Sequence, residues 1–146
     1  MISFLRGKVA EVTASNLVVD VNGIGYNVIV TPAVIQIAKK ESEISLQVAL
    51  VVREESMTLY GFANIEERKL FELLQTVNGV GPKLALTILA ATTAENLADA
   101  ISHGDESALT RIPGVGKKSA ARLILELGDK FNKQHALKTG WQSEVH

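Results

Sequence analysis

Along the first sixty residues the apolar positions keep a period of two. Ile44, Leu46, Val48, Leu50 and Val52 hold it strictly, and Leu17, Val19 and Val21 alternate with Val18 and Asp20. Such alternation puts one set of side chains on one face of a strand. Asn22-Gly23-Ile24-Gly25 is turn chemistry leading into a further run at 26–30. With residues 3–12 and 57–62 the count is five strands, and residues 32–39 read as a short helix between the third and fourth. Five short strands with one helical insertion predict a small closed barrel of the OB type.

After Phe62 the period changes. Leu70, Leu73, Leu74 and Val77 stand at i, i+3, i+4 and i+7, with Glu66, Glu67, Arg68 and Lys69 near the start of the run; this is an amphipathic helix. Helical runs follow at 83–91, 94–102, 106–111 and 118–130, and Thr93 is a suitable cap for the second of them. The fold class is therefore α+β. A five-stranded OB-type barrel over 1–63 is followed by an all-α domain over 64–131. From Asn132 the chain is polar without periodicity, which predicts a tail or truncated linker over 132–146.

The helical part contains a repeat. Val77-Asn78-Gly79-Val80-Gly81-Pro82-Lys83 and Ile112-Pro113-Gly114-Val115-Gly116-Lys117-Lys118 share a pattern at an offset of 35 residues (114 − 79), each running into an Ala/Leu/Ile-rich helix. These are two helix–hairpin–helix units. Glycine lacks a Cβ, so it takes positive φ and lets backbone amides approach another surface. Each hairpin opens a helix whose first N–H groups and positive dipole end favour an anion. Lysine in that first turn opposes the dipole but suits a phosphate. Lys118 and Arg122 lie at i and i+4, so one face carries both, while Ala120, Leu123, Ile124 and Leu127 form the core face.

A single Gly-Val-Gly would be only a tight turn between helices; the second copy at matched spacing argues for a binding role. Nucleotide loops fail on spacing. A P-loop ending at Gly116-Lys117 would need glycine where Arg111 stands and Ser or Thr where Lys118 stands. A dinucleotide fingerprint from Gly79 would need glycine at Leu84, and no strand precedes it. Two hairpins suit the backbone of a duplex, gripped across a minor groove, and phosphate contacts carry no sequence information.

Charge sharpens this. The formal net charge of −1 argues against a generic polyanion binder. Yet between Ser107 and Leu125 there are four basic residues (Arg111, Lys117, Lys118, Arg122) and no acidic ones. A composition 47% hydrophobic and 21% charged is that of a globular chain. No apolar run reaches the roughly 18 residues of a membrane helix, and the N-terminus lacks a signal-peptide layout. The absence of cysteine excludes disulfides and thiolate metal sites and fits a reducing cytoplasm. His103, His135 and His146 lack metal-ligand spacing, so neither metal nor cofactor is expected. Aromatics are few; Tyr26, Tyr60 and Phe62 read equally well as core or as a base-stacking platform. Glu54-Glu55 occupies the turn between the last two strands, where two acids are ordinarily a solvated tip.

Three stretches in order, Val51-Val52-Arg53-Glu54-Glu55 with Leu59-Tyr60-Gly61-Phe62, then Asn78-Gly79-Val80-Gly81-Pro82-Lys83, then Ile112–Lys118, resemble the RuvA family of Holliday-junction-binding subunits of the bacterial branch-migration complex. The similarity runs from Met1 to about Lys130. It implies a bacterial, cytoplasmic, four-fold symmetric homotetramer, or an octamer of two tetramers, that holds a junction open and planar in recombination, repair and the SOS response. It implies Gly79, Gly81, Gly114 and Gly116 as phosphate-binding glycines and Lys83, Lys117, Lys118 and Arg122 as basic contacts. It also implies Glu54 and Glu55 as an acidic pin near the crossover. Carboxylates repel phosphates, so a ring of them would keep strands apart there. The implied partners are junction DNA, the RuvB ATPase motor and the RuvC resolvase, and the subunit itself is not catalytic. The family carries a third helical domain that contacts the motor; this chain stops at His146, so a truncated or proteolysed form without motor recruitment is expected.

Two other readings are weighed. A DNA glycosylase would need a base pocket and a catalytic aspartate after the hairpin, and Asp129 is the only aspartate after Gly116. A general duplex or single-strand binder would show no preference for four-way junctions.

Overall fold

In the computed structural model, which describes the backbone of residues 1–145 and the side chains of residues 1–131, the period-two segments close into one barrel. Its strands are β1 (Phe4–Val12), β2 (Asn16–Val21), β3 (Ile24–Val30), β4 (Glu43–Arg53) and β5 (Ser56–Phe62), in the order β1-β2-β3-β5-β4. β1 pairs antiparallel with both β2 and β4, and the one parallel pairing, β3 with β5, sets Val28 opposite Leu59. The short helix α1 (Pro32–Ile37) joins β3 to β4, so all five strands and the insertion follow the OB pattern. Alternate residues fill the interior: Leu5 and Val9, Leu17 and Val19, Val28 and Val30, Leu46 and Val48, with Val34 of α1 packed among them. Burying each contributes about 1.5–3 kcal/mol against the entropy of ordering the chain. A register shift between Val9 and Glu11 marks a bulge in β1, the device by which a strand bends into a barrel.

The first compact unit runs Met1–Leu73 and the second Leu74–His146. The sequence reading puts the boundary at Ala63-Asn64, where the period changes; most of helix α2 (Ile65–Gln75) instead belongs with the barrel. Phe71 is the reason. Its ring lies 4.9 Å from that of Phe62 and 5.1 Å from that of Tyr60. A Cβ on the intervening Gly61 would meet Val28, Val30 and Leu46 of the interior, so Tyr60 and Phe62 point to the other face of β5. Arg68 of α2 also donates to the Ser3 carbonyl at 3.0 Å. Burial raises the Tyr60 phenol above its usual pKa, and Arg53 opposes this in part. Tyr60 and Phe62 are therefore core, and Tyr26 is half-buried; these three make no stacking platform.

The second unit holds the end of α2, then α3 (Pro82–Ala91), α4 (Ala94–Ser102), α5 (Glu106–Thr110) and α6 (Lys117–Val145). The repeat is written into its core. Leu74 and Leu109, Val77 and Ile112, Val80 and Val115, Ala85 and Ala120, Ile88 and Leu123 are pairs 35 residues apart, and all ten are buried. The helix expected over 118–130 continues as the backbone of α6 to Val145. The stretch 132–145, expected as a tail or truncated linker, thus has a helical backbone, while its side chains, His135 among them, and His146 lie outside the described residues. Among the described residues no single helix is long and apolar enough to cross a membrane, and no group of three or more His, Asp or Glu stands ready for a metal.

Candidate nucleic-acid interface

Each hairpin is a four-residue turn closed by one backbone bond. The Val80 N–H donates to the Val77 carbonyl and the Val115 N–H to the Ile112 carbonyl, both at 3.0 Å. The third residue of each turn is the glycine with positive φ, Gly79 at 90° and Gly114 at 86°. That is the signature of a type II turn, which demands glycine there. Apolar residues at both ends of each turn are buried, so the turn is pinned to the core while its two central residues stay exposed.

The second glycine of each pair answers to a different constraint. Neither Gly81 nor Gly116 has positive φ, and a Cβ on either would meet nothing within 4 Å. The fold itself thus imposes no glycine at these two positions. What their bareness leaves open is the start of a helix. Gly81 and Gly116 accept the first backbone bonds of α3 and α6, from Ala85 N–H at 3.0 Å and Ala120 N–H at 2.9 Å. Neither helix has an acid in its first turn.

The remaining helix starts of this region are closed. Asn64 Oδ1 accepts from Glu67 N–H at 2.9 Å, Thr93 Oγ1 from Asn96 N–H at 3.1 Å, and Asp105 Oδ1 from Ala108 N–H at 3.1 Å. α2, α4 and α5 also carry acids in the first turn: Glu66 and Glu67, Glu95, Glu106. Where those three have caps and acids, α3 has Lys83, and α6 has Lys117 and Lys118, all exposed. An uncapped N-terminus with lysine beside it is suited to hold an oxyanion.

The hairpins are braced crosswise. A Cβ on Gly114 would lie 3.2 Å from Leu84 of α3, and one on Gly79 would lie 3.7 Å from Arg122 of α6. Each repeat's second helix thus meets the other repeat's turn. Arg122 was expected beside Lys118 on one outward face. Its guanidinium turns instead to the first hairpin, donating from Nη1 to the Asn78 carbonyl at 3.2 Å. Glu126, one turn along α6, accepts from the Asn78 N–H at 3.4 Å. Neither Asn78 nor Glu126 was singled out from the sequence; the i, i+4 step from Arg122 to Glu126 was visible, but not its target.

Glu54 and Glu55 form the two-residue tip between β4 and β5, below which Arg53 pairs with Ser56 and Val52 with Met57. Both acids are exposed. Two-residue hairpins favour turns with positive φ; Asn22-Gly23, joining β2 to β3, complies with φ of 53° and 90°, whereas neither Glu54 nor Glu55 does. The turn is not optimised for closure. Asp129 is exposed on α6, thirteen residues beyond Gly116 (129 − 116), or about 20 Å along the helix. An exposed aspartate so far along the helix gives the glycosylase reading no support.

Comparison with known proteins finds one family for the barrel and another for the helical part. The RuvA N terminal domain family matches residues 1–61, and the SAM-like Helix-hairpin-helix tandem family matches residues 71–129. The Holliday junction branch migration complex subunit RuvA of Beutenbergia cavernae is 48% identical over 131 residues, covering 90% of this chain and 66% of that protein. The subunits of the same name from Streptomyces avermitilis and Acidothermus cellulolyticus are each 44% identical, over 155 and 150 residues. Those two alignments take in 100% of this chain and 76% of each relative. The chain thus spans about two thirds to three quarters of the length of these relatives.

Proposed function

The chain belongs to the RuvA family, and from that premise we propose that it is the junction-holding, non-motor subunit of a Holliday junction branch-migration complex. The observation that carries this is the pair of bare helix starts. Two turns of one design, 35 residues apart, deliver α3 and α6 without side-chain caps or first-turn acids and with lysines instead. Gly79, Gly81 and Lys83 hold one phosphate region, and Gly114, Gly116, Lys117 and Lys118 hold another. Open space beside Gly81 and Gly116 supports this, because glycine there makes sense when a phosphate comes within contact distance of the backbone. Arg122 adds its remaining donors at the first hairpin. Such contacts position a duplex arm without reading its sequence.

Glu54 and Glu55 act differently. On a tip whose residues are poor for the turn, two carboxylates repel the phosphates of strands passing nearby. In a four-fold homotetramer, or two such tetramers face to face, they surround the crossover and keep exchanging strands apart. The basic hairpins hold the four arms outside that centre. No reaction is catalysed by this subunit. Force comes from a separate ATPase, RuvB, and the resolvase RuvC works on the same junction, in a bacterial cytoplasm.

The test is a competition gel shift with a labelled four-way junction and excess linear duplex. The junction complex is expected to survive a hundredfold mass excess of duplex, to an order of magnitude. Equal competition by duplex would leave only a general DNA binder.

A further inference from the structure

The two hairpins share one turn but are not held in it by the same means. In the second hairpin the second turn residue is Pro113, whose ring fixes φ at about −65° and which has no N–H to satisfy. In the first hairpin that position is Asn78, free to rotate and with an N–H the turn does not use. Helix α6 supplies what the ring would. Glu126 Oε1 accepts from the Asn78 N–H at 3.4 Å, and Arg122 Nη1 donates to the Asn78 carbonyl at 3.2 Å. Two side chains one helical turn apart grip both faces of a single peptide residue. The repeat shows that this is a substitution rather than a shared feature. Thirty-five residues before Arg122 and Glu126 stand Thr87 and Ala91, which carry no such charges, and the hairpin facing them has proline.

We propose that Arg122 and Glu126 are positioning residues that lock the first hairpin in its phosphate-binding shape, doing there what Pro113 does in the second. This rests on the reading that both hairpins hold phosphates. Charge supplies an independent argument. Glu126 is the first acid after the acid-free stretch between Ser107 and Leu125, and it lies against a hairpin whose ligand is an anion. By Coulomb's law alone a carboxylate there weakens binding. Its place is accounted for if order in the turn is worth more than the repulsion.

That opposition of signs makes the test decisive. Junction dissociation constants and salt slopes are measured for Glu126→Ala, Glu126→Gln, Asn78→Pro and Asn78→Pro/Glu126→Ala in the same chain, with Lys83→Ala and Lys118→Ala alongside. Glu126→Ala is expected to weaken binding about five- to tenfold, within the range of one ordinary net hydrogen bond, with the salt slope unchanged. Glu126→Gln keeps an acceptor oxygen and restores binding to the parent level or tighter. Asn78→Pro restores it in the Glu126→Ala background. Val77 is suited to precede proline, because Ile112 precedes Pro113 with the same turn bond.

Tighter binding by Glu126→Ala would show that the carboxylate acts as a simple repulsive charge and would overturn the proposal. So would failure of Asn78→Pro to rescue, or loss of binding by Asn78→Pro alone. If the two lysine variants weaken binding while Glu126→Ala does not, the positioning role falls and the phosphate reading stands. If the lysine variants are also silent, both fall.

Discussion

Two kinds of helix start coexist within about fifty residues of one another. α2, α4 and α5 begin at Asn64, Thr93 and Asp105, each with its side chain on a free N–H and acids following. α3 and α6 begin at glycine, with lysine in the first turn. The first kind is what local stability asks for: a capping side chain is worth about 1 kcal/mol over alanine, and an acid near the dipole's positive end adds about 0.3–1 kcal/mol. The second kind forgoes the acid term and reverses its sign with lysine. Nothing in the packing requires this, since a Cβ on Gly81 or Gly116 would fit. The difference teaches where to look for function. Helix α1 of the barrel also starts without a side-chain cap. Among the helices from α2 onward, however, three starts are closed and two are bare, and the two bare ones, in matched hairpins with lysine beside them, are kept for something outside the chain.

The severest way to break the comparison is to convert a bare start into a capped one. Gly116→Asp places a capping carboxylate where α6 begins, in space that is open. For the protein alone this is neutral or favourable by a few tenths of a kcal/mol, so the melting temperature is expected to hold or rise slightly. For the junction it occupies the amides and adds a charge of the wrong sign. Loss of charge-assisted bonds at about 1.5–3 kcal/mol, plus repulsion, sets the expected drop in affinity at about a hundredfold. Titration of a labelled four-way junction, with a thermal melt of the same sample, reads both quantities. A variant that is stable and binds normally would show that the bare starts are idle.

Much of this was legible in the sequence because it rests on short-range rules. The barrel followed from strict alternation in 44–52 and from turn residues, which depend only on neighbours. The hairpins followed from an offset that the core then respects at five buried pairs. Three things were not legible, and each depends on contacts distant in sequence. The first compact unit runs on to Leu73, and Phe71, by period an ordinary helix residue, packs there against Tyr60 and Phe62. Spacing puts Arg122 on a helix face, but a face does not say what a long side chain reaches; its partner is 44 residues away. The unequal tasks of the four glycines also needed backbone angles. Gly79 and Gly114 satisfy a turn, whereas Gly81 and Gly116 leave room.

A milder perturbation removes a cation from a bare start and leaves its amides alone. Lys118 is exposed in the first turn of α6, so Lys118→Ala is expected to leave folding stability within about 0.5 kcal/mol. Junction binding weakens about fivefold at physiological salt, and the slope of log affinity against log salt becomes shallower by about one. The slope distinguishes a lost phosphate contact from a disturbed fold. A uniform weakening with unchanged slope would mean that Lys118 supports the hairpin rather than the ligand.

The smallest effect on binding belongs to the other half of the comparison. Thr93 caps α4 through Oγ1, 3.1 Å from the Asn96 nitrogen, and that helix buries Leu97 and Ile101 in the core. Thr93→Ala is expected to cost about 1 kcal/mol of stability, seen as a lower denaturation midpoint with an unchanged m-value. Because the native state stays overwhelmingly populated after a loss of that size, the junction affinity and its salt slope should not move. The pairing with Gly116→Asp is what gives this modest variant its weight. One substitution removes a cap and costs stability without binding, and the other adds a cap and costs binding without stability. If Thr93→Ala also weakened the junction complex, helix starts of both kinds would be acting through the rigidity of the helical unit. The distinction between closed and bare ends would then lose its functional meaning.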